Sequence, residues 1–434
     1  MQSKEWNLKD SLIDTQNLGF PVYKTLDFWH YILWNYGNLL VVITMIQREA
    51  SKAVMRLAKQ FPVIGITGPR QSGKTVLVKN LFPNKPYVTF DDARIRAIAK
   101  ANRYDFLLAY PDGAVIDEAQ KIPELFDAIK YSVDNRHMKE GSFILTGLSQ
   151  FRLKDSIKES LAGRIGNIEL LPFTINELKS NNCLKENAYQ QAIQGFYPPL
   201  YDEHKHYLSD DWFENYIETY LERDISEEIN HTNLHTFKKF IQICALFSGQ
   251  MVNMESISRM IGISATTVKA WLSLLEASYI IHLLQPDTFN IGKSLVKTPK
   301  LYFLDVGLLC YLLRLNEQAD LILSEKKGAV IETMAVGELI KNRTNQGRRS
   351  NLTYYRDVNG FEIDTIADWK KTFAIEVKSD SDSEKKLSKN IRKYIENRGN
   401  NTHGAVFYLG DLNVTINNID YIGWKNWSDF AKVE

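Results

Sequence analysis

GPRQSGKT, residues 68–75, sets two glycines around a short turn and closes on a lysine and a hydroxyl. Gly68 and Gly73 let the backbone turn its N–H groups inward, so the stretch Pro69, Arg70, Gln71 and Ser72 forms a cradle for phosphate oxygens. A helix opening at Lys74 or Thr75 adds its positive end. Lys74 would reach the β and γ phosphates of a bound nucleotide, the Thr75 hydroxyl would ligate Mg²⁺, and Val76 completes the first turn. A magnesium nucleotide also needs a second, carboxylate-bearing strand. GAVIDEAQKIPELF, residues 113–126, ends its apolar run in Asp117 and Glu118. Asp117 would hold the magnesium through water, and Glu118, turned to the other side, could act as general base on the attacking water. Acidic pairs at strand ends also cap helices, and this run leads towards one. After SFILTG, residues 142–147, come Ser149 and Gln150, placed either to sense the γ phosphate or to cap a helix.

A second constellation lies in FEIDTIADWKKTFAIEVKSD, residues 361–380. Two alternating stretches flank a polar turn, which predicts an antiparallel hairpin with Asp364, Glu376 and Lys378 on one face. Taken alone, that is a half-exposed hairpin with a cross-strand ion pair. GAVIETMAVGELIKNR, residues 328–343, reads as an amphipathic helix with Glu332 near its start and Glu338 as the substitute if the register differs. Helix acid, strand acid and Glu-x-Lys in that order resemble the nuclease fold of restriction enzymes and Holliday-junction resolvases, and the resemblance implies phosphodiester hydrolysis. Asp364, Glu376 and Glu332 would hold Mg²⁺ by hard oxygens, and Lys378 would orient or deprotonate water. Lys341, Arg343, Arg348 and Arg349, with Lys385, Lys386, Lys389, Arg392 and Lys393, could grip phosphates or simply form solvated helix faces.

The elements that must position these groups follow from the same pattern. VIGITGPRQSGKTVLVKNLF, residues 63–82, reads as strand, glycine loop and helix, matching G-x-x-x-x-G-K-S/T in its required context. Strands alternating with helices imply a parallel α/β sheet with ligand at the carboxyl ends of the strands. Adenine is expected rather than guanine, because the Asn84-Lys85 dipeptide is followed by Pro86-Tyr87 and supplies no Asn-Lys-x-Asp reader.

GPRQSGKT, VTFDD, VIDEAQKIPELF, FILTGLSQF and SLAGRIGNIELLPFTINEL resemble the AAA-type P-loop ATPases of bacteria and archaea that carry a carboxy-terminal domain of unknown function. The likeness runs from about residue 48 to the end. Val76, where a second threonine is usual, and Leu148, where serine is common, depart from it without removing a ligand. By this resemblance Arg164 contacts the γ phosphate, with Arg152 second, and either is equally a solvated surface charge. The carboxy-terminal acids resemble the nuclease fold of restriction enzymes and Holliday-junction resolvases. The expected organisation is an amino-terminal extension (1–47), a P-loop ATPase core (48–173), a helical lid (174–235), a winged-helix-like region (236–290) and a restriction-endonuclease-like α/β domain (291–434).

In the middle, MESISRMIGISATTVKAWLSLLEASYII, residues 254–281, has helix-turn-helix spacing around Gly262 and Ser264. Its second helix offers Thr266, Thr267 and Lys269 but no arginine to read guanine, which suits packing better than DNA reading. His204 with His206, and His231 with His235, lack a third ligand and read as surface residues.

The chain's 434 residues have room for about three domains. With 44% hydrophobic and 24% charged residues it is globular rather than disordered or fibrous. A formal net charge of +1 creates no global field for polyanions. Cys183, Cys244 and Cys310 are spaced for neither zinc nor a disulfide framework, and a reducing cytoplasm fits best. NLLVVITMI, residues 38–46, is shorter than the ~20 residues that a spanning helix needs, and its flanks do not suit a secretory signal. Met45 could begin translation, or residues 1–44 are an ordinary extension. The expectation is a cytoplasmic, Mg²⁺-dependent ATPase coupled to a nuclease-like domain that acts on or binds nucleic acid, with no membrane partner and with self-association open. The alternative is an ATP-dependent switch that binds protein or operator DNA without cutting.

Overall fold

The computed structural model describes residues 45–148, 160–220, 229, 233–287, 297–379, 388–399 and 401–432, and between residues 12 and 44 the backbone of four strands. Those four, β1 (Leu12–Ile13), β2 (Val22–Tyr23), β3 (His30–Asn35) and β4 (Leu39–Thr44), pair antiparallel in chain order within a unit that ends at Arg48. The apolar run of residues 38–46 therefore forms a strand.

From Glu49 onward the chain forms a second unit. Its first sheet contains β5 (Val63–Thr67), β6 (Tyr87–Thr89), β7 (Val115–Asp117), β8 (Phe143–Leu148) and β9 (Ile165–Glu169) in the order β6-β7-β8-β5-β9, all parallel. Successive side chains of a strand face opposite layers, so β5 sends Val63 to a core with Phe126 and Ile129. The same strand sends Ile64 and Ile66 to a core with Val54, Leu77 and Val78. Burial on both faces is what a parallel sheet with helices on each side requires.

The segment after β9 is helical. Thr174 caps the helix Ile175–Ser180 through a capping box with Glu177, and Pro198–Tyr201 forms a single 3₁₀ turn where two prolines exclude a longer helix. Next come the helices Ser209–Tyr220, Leu234–Leu246, Met254–Ile261 and Ala265–Ala277. Gly262 takes a left-handed φ of 80° between the last two, and Ser264 caps the second by accepting from the Thr267 N–H, as its position predicts. A small antiparallel sheet follows, with β10 (Gln250–Met251), β11 (Ile281–Leu284) and β12 (Lys300–Phe303) in the order β10-β12-β11.

β12 pairs with β10 and β11, so residues 300–303 belong to the helix-turn-helix region and not, as expected, to the last domain. The last domain's framework begins at the helix Lys327–Asn345. It continues through β13 (Leu352–Arg356), β14 (Glu362–Asp368), β15 (Thr372–Lys378), the helix Lys389–Arg398, β16 (Thr402–Tyr408), β17 (Val414–Ile416) and β18 (Ile419–Gly423). The sheet order is β13-β14-β15-β16-β18-β17, antiparallel as far as β15 and parallel from β15 through β16 to β18.

The helix Lys327–Asn345 corrects the amphipathic expectation: past its first turn it is buried almost all round, Glu338, Lys341, Asn342 and Arg343 included. The polar groups survive burial by pairing. The Lys341 ammonium donates to the Phe173 carbonyl at 2.7 Å and lies 3.0 Å from Glu338, which in turn accepts from the Ile175 N–H at 3.0 Å and from the Ser428 hydroxyl. This polar seam joins the last domain to the end of the parallel sheet. Lys341 and Arg343 are therefore structural and cannot grip phosphates at a surface. Arg348, Arg349, Lys389, Arg392 and Lys393 are exposed, and Lys385 and Lys386 lie outside the described residues.

Candidate functional site

The glycine loop follows β5, and the helix Lys74–Leu81 opens directly from it. Gly68 has φ 146°, and a Cβ there would stand 2.1 Å from the Leu170 carbonyl oxygen, so only glycine lets the loop turn against β9's continuation. The Lys74 ammonium donates to the Gly68 and Pro69 carbonyls at 2.9 and 2.7 Å.

Asp117, at the carboxyl end of β7, is buried and accepts from four donors. Thr75 donates to its Oδ2 at 2.9 Å and Tyr87 to the same oxygen at 2.6 Å. The Thr146 hydroxyl and the Glu118 N–H, the latter at 3.2 Å, reach Oδ1. Burial, helped by the Asp117 carboxylate, pushes the Tyr87 phenol well above its ordinary range, so it stays a donor.

Glu118 takes a left-handed φ of 56°, uncommon for a residue with a side chain. Gly147, φ 93°, makes room: a Cβ there would lie 2.6 Å from the Glu118 Cα. Burial raises the Glu118 pKa, while Gln120, donating at 2.6 Å, and Lys74 pull it down. Glu118, the loop residues 68–71 and 73–76, the prolines 198 and 199, and Trp212, Tyr216 and Tyr279 border one cavity of about 1200 Å³. Small-molecule sites usually enclose roughly 300–1,000 Å³. Tyr279, at the end of the helix Ala265–Ala277, donates to the Thr67 hydroxyl at 2.6 Å, so the helix-turn-helix region touches the strand that carries the glycine loop.

The second constellation also assembles. β14 and β15 form the antiparallel hairpin, and pairing of Thr365 with Ile375 sets Asp364 opposite Glu376. Asp364 accepts from the Val377 N–H at 2.9 Å, and Lys378 lies 2.6 Å from Glu376. Glu332 comes from the first turns of the helix Lys327–Asn345, whereas Glu338 sits in the polar seam, so the register question resolves on Glu332. Two groups unforeseen in sequence share this cluster. Lys300 of β12, with 3% of its side chain exposed, lies 3.2 Å from Glu332 and 2.5 Å from Glu362, and the Tyr302 hydroxyl donates to Glu332. Burial, then the Asp364 charge, pushes both Glu332 and Glu376 up to about 7, against the pull of Lys300 on the first and Lys378 on the second. Among the described residues no group of three His, Cys, Asp or Glu is arranged to hold a metal ion. As folded, the carboxylates do not fit the metal shell expected of Glu332, Asp364 and Glu376.

A family model described as AAA domain matches residues 60–179. The matched residues contain the glycine loop and the five-stranded parallel sheet. Residues 185–319 and 327–427 match two domains of unknown function, DUF8612 and DUF4143. Uncharacterized proteins of Mycobacterium bovis and Mycobacterium tuberculosis are each 30% identical over 294 residues, which is 68% of this chain and 65% of theirs. The chain thus spans 65% of the length of the curated relatives it matches. A Walker-type ATPase of Pyrococcus abyssi is 17% identical, with a TM-score of 0.42 over 62% of this chain and 96% of that one. AMPPCP-bound DnaA of Aquifex aeolicus is 16% identical, with a TM-score of 0.26 over 52% and 85%.

Within residues 60–179, Gly68, Pro69, Arg70, Gln71, Gly73, Lys74, Thr75, Val76 and Glu118 border the cavity, and Asp117 backs Thr75. Arg164 does not join them. Its carbonyl accepts from the Val63 N–H at 3.2 Å, at the start of β5, while the glycine loop follows the strand's far end. Its guanidinium pairs with Asp134 at 2.6 Å. Ser149, Gln150 and Arg152 lie outside the described residues. Thr146 and Tyr87 were missed, although a polar residue at the end of an apolar strand, as in FILTG, is a usable signal. No helix among the described residues is long and apolar enough to cross a membrane.

Proposed function

We propose that the protein is a magnesium-dependent AAA-type ATPase whose nucleotide state is coupled to a carboxy-terminal domain that acts on or binds nucleic acid. The hydrogen bond of 2.9 Å between Thr75 and Asp117, beside the glycine loop, carries the ATPase half. Those two hard oxygens fit magnesium, which when bound neutralises charge on the β and γ phosphates. Main-chain N–H groups of the loop and the helix start hold the phosphate oxygens. Lys74 exchanges its two neutral carbonyl partners for phosphate, a stronger acceptor because it is charged. Glu118 takes the proton of the water whose oxygen attacks the γ phosphorus, as the bond to the oxygen bridging β and γ breaks. Burial raises its basicity for that step. The γ-phosphate arginine is not Arg164 of the same chain, which lies at the other end of β5 from the loop.

The carboxy-terminal half rests on topology. A helix, three antiparallel strands, a second helix and a parallel strand occur in the order that resembles restriction-type nucleases, with Asp364, Glu376 and Lys378 at the corresponding positions. The carboxylates do not fit a metal as they stand, so no cleavage step is derived. That same observation favours the second reading, in which ATP binding switches a domain that binds nucleic acid or protein without cutting. Purified protein with Mg²⁺ or Mn²⁺, with and without ATP, on single-stranded, duplex and branched DNA and on RNA, decides between them. ADP production lost in Lys74→Ala supports the ATPase. Absence of nucleotide affinity in the folded protein sinks it. Nucleic-acid cleavage lost in Lys378→Ala with ADP production intact selects the nuclease.

A further inference from the structure

Three segments far apart in sequence meet at the surface: the helix Ala50–Leu57, the turn at residues 346–351 and the hairpin tip at residues 368–371. The Arg56 Nη2 donates to the Gln346 carbonyl at 2.8 Å, and a Cβ on Gly347 would stand 3.1 Å from the same nitrogen. The Asp368 N–H donates to the Asn351 carbonyl at 3.0 Å, and the Trp369 Nε1 to the Ser350 carbonyl at 2.9 Å, which fastens the tip to the turn. Lys52, Arg56, Arg348, Arg349, Lys370 and Lys371 are thereby gathered, all of them exposed. Lys52 and Arg56 are one turn apart and share a helix face. The three segments hold these six cations and one carboxylate, Asp368, whereas the whole chain balances 53 basic against 52 acidic residues. Asp368 already accepts from the Thr372 hydroxyl at 2.9 Å, and Glu49, just before the helix, is held by Lys432 at 2.6 Å. Among the described residues, Lys52, Arg56, Arg349, Lys370 and Lys371 form no ion pair. Like charges gathered in this way repel, and a polyanion laid along them relieves the repulsion while releasing its own counterions.

We propose that this basic strip binds the phosphate backbone of a nucleic acid. The inference deepens the reading that the chain binds nucleic acid and rests on it, but it uses none of the carboxylates. Asp368 is four residues along β14 from Asp364, roughly 13 Å of strand, so the strip lies away from the acidic cluster. The Arg56 guanidinium keeps the rest of its fork for phosphate oxygens beyond the one bond to Gln346. A bilayer or a protein partner would also need apolar surface, and Met55, 38% exposed, is the one large apolar side chain exposed in these segments. Phosphate contacts carry no base information, so the strip holds nucleic acid of any sequence. The helix Ala50–Leu57 also packs its Ala53 and Val54 into the core of the parallel sheet with Ile64 and Ile66. One bound strand would therefore touch both the sheet that carries the glycine loop and the hairpin of the last domain.

The test is fluorescence anisotropy of labelled single-stranded DNA, duplex DNA and RNA, titrated with the full chain over a series of salt concentrations, without divalent metal so that nothing is cut. Three double variants are compared with wild type: Lys52→Gln with Arg56→Gln, Arg348→Gln with Arg349→Gln, and Lys370→Gln with Lys371→Gln. Lys389→Gln with Arg392→Gln and Lys393→Gln is the control, on a helix whose Asn390 reaches the Glu362 carbonyl at the other end of β14. Each strip variant is expected to weaken binding at least about tenfold for every sequence and to flatten the salt dependence by about 1 in log–log slope for each cation removed. The control should stay within about threefold of wild type. The Lys370 and Lys371 side chains make no hydrogen bond or ion pair among the described residues, so that variant serves where another does not fold. Unchanged binding in folded strip variants, or an equal loss in the control, overturns the assignment and leaves the nucleic-acid reading standing. Wild type that binds no nucleic acid at low salt removes both. Vesicles of phosphatidylserine and phosphatidylcholine are run beside the nucleic acids, and strip-dependent binding to vesicles alone gives the surface to a membrane and overturns the proposal. Strip-dependent binding of nucleic acid with no cleavage once Mg²⁺ is added supports the proposal and ends the nuclease reading.

Discussion

The glycine loop and the carboxylate cluster each set a lysine among oxygens, yet the two lysines are held differently. Lys74 rests on two neutral carbonyls at 2.9 and 2.7 Å beside a cavity of about 1200 Å³. Lys300 rests on two carboxylates, with 3% of its side chain exposed. A lysine on neutral carbonyls gains by moving to a phosphate, because a charged acceptor roughly doubles the strength of the bond. A lysine among buried carboxylates leaves unpaired charge behind if it moves, which costs about 3–5 kcal/mol. The first arrangement is built to receive a ligand. The second supplies its own.

Four measurements break or sharpen that contrast. The largest effect is expected from Glu118→Gln, which removes the base but not the phosphate cradle. Single-turnover hydrolysis should fall by about 10²–10⁴-fold with nucleotide affinity kept. A fall of less than about threefold removes Glu118 from the mechanism.

Next comes the stability difference between the two lysines in denaturant unfolding. Lys300→Met should lose about 3–5 kcal/mol, whereas Lys74→Met, at a cavity wall, should lose within about 1 kcal/mol. Equal losses would mean that the cluster is not internally satisfied.

The third is the acid limb of turnover. Glu118 works as a base only when ionised, and burial raises its pKa above the ordinary glutamate range. Activity should therefore rise with pH through a limb lying above that range, and Glu118→Gln should abolish the limb. A limb within the ordinary glutamate range contradicts the base role.

The smallest effect is expected from Tyr279→Phe, which removes the hydrogen bond to Thr67. Loss of one such bond is worth about 1 kcal/mol, so nucleotide affinity should change about fivefold. Fluorescent nucleotide titration reads this directly, and no change would show that the helix-turn-helix region does not sense the cradle.

Much of the first site was legible in sequence because its parts are local. Gly68 to Thr75 is one unbroken turn into a helix, and Asp117 follows directly from an apolar strand. The hairpin that sets Asp364 against Glu376 was legible for the same reason, since alternation and a short polar turn define its register. What failed was whatever depended on which surface packs on which. The polar face of residues 328–343 looked solvated, but a second domain covers it and turns Lys341 and Glu338 into a seam. Arg164 resembled a phosphate contact, yet its strand neighbour places it at the wrong end of the sheet.

The sequence by itself determined the phosphate cradle, the parallel sheet behind it and the pair of carboxylates on the later hairpin. Backbone conformation and side-chain alternation over a few residues are sufficient for each. Only the tertiary structure decided that Glu332 rather than Glu338 joins that pair, and that Lys300 enters from another sheet. Contacts made across separate elements depend on strand pairing and domain packing, and no spacing along the chain encodes them.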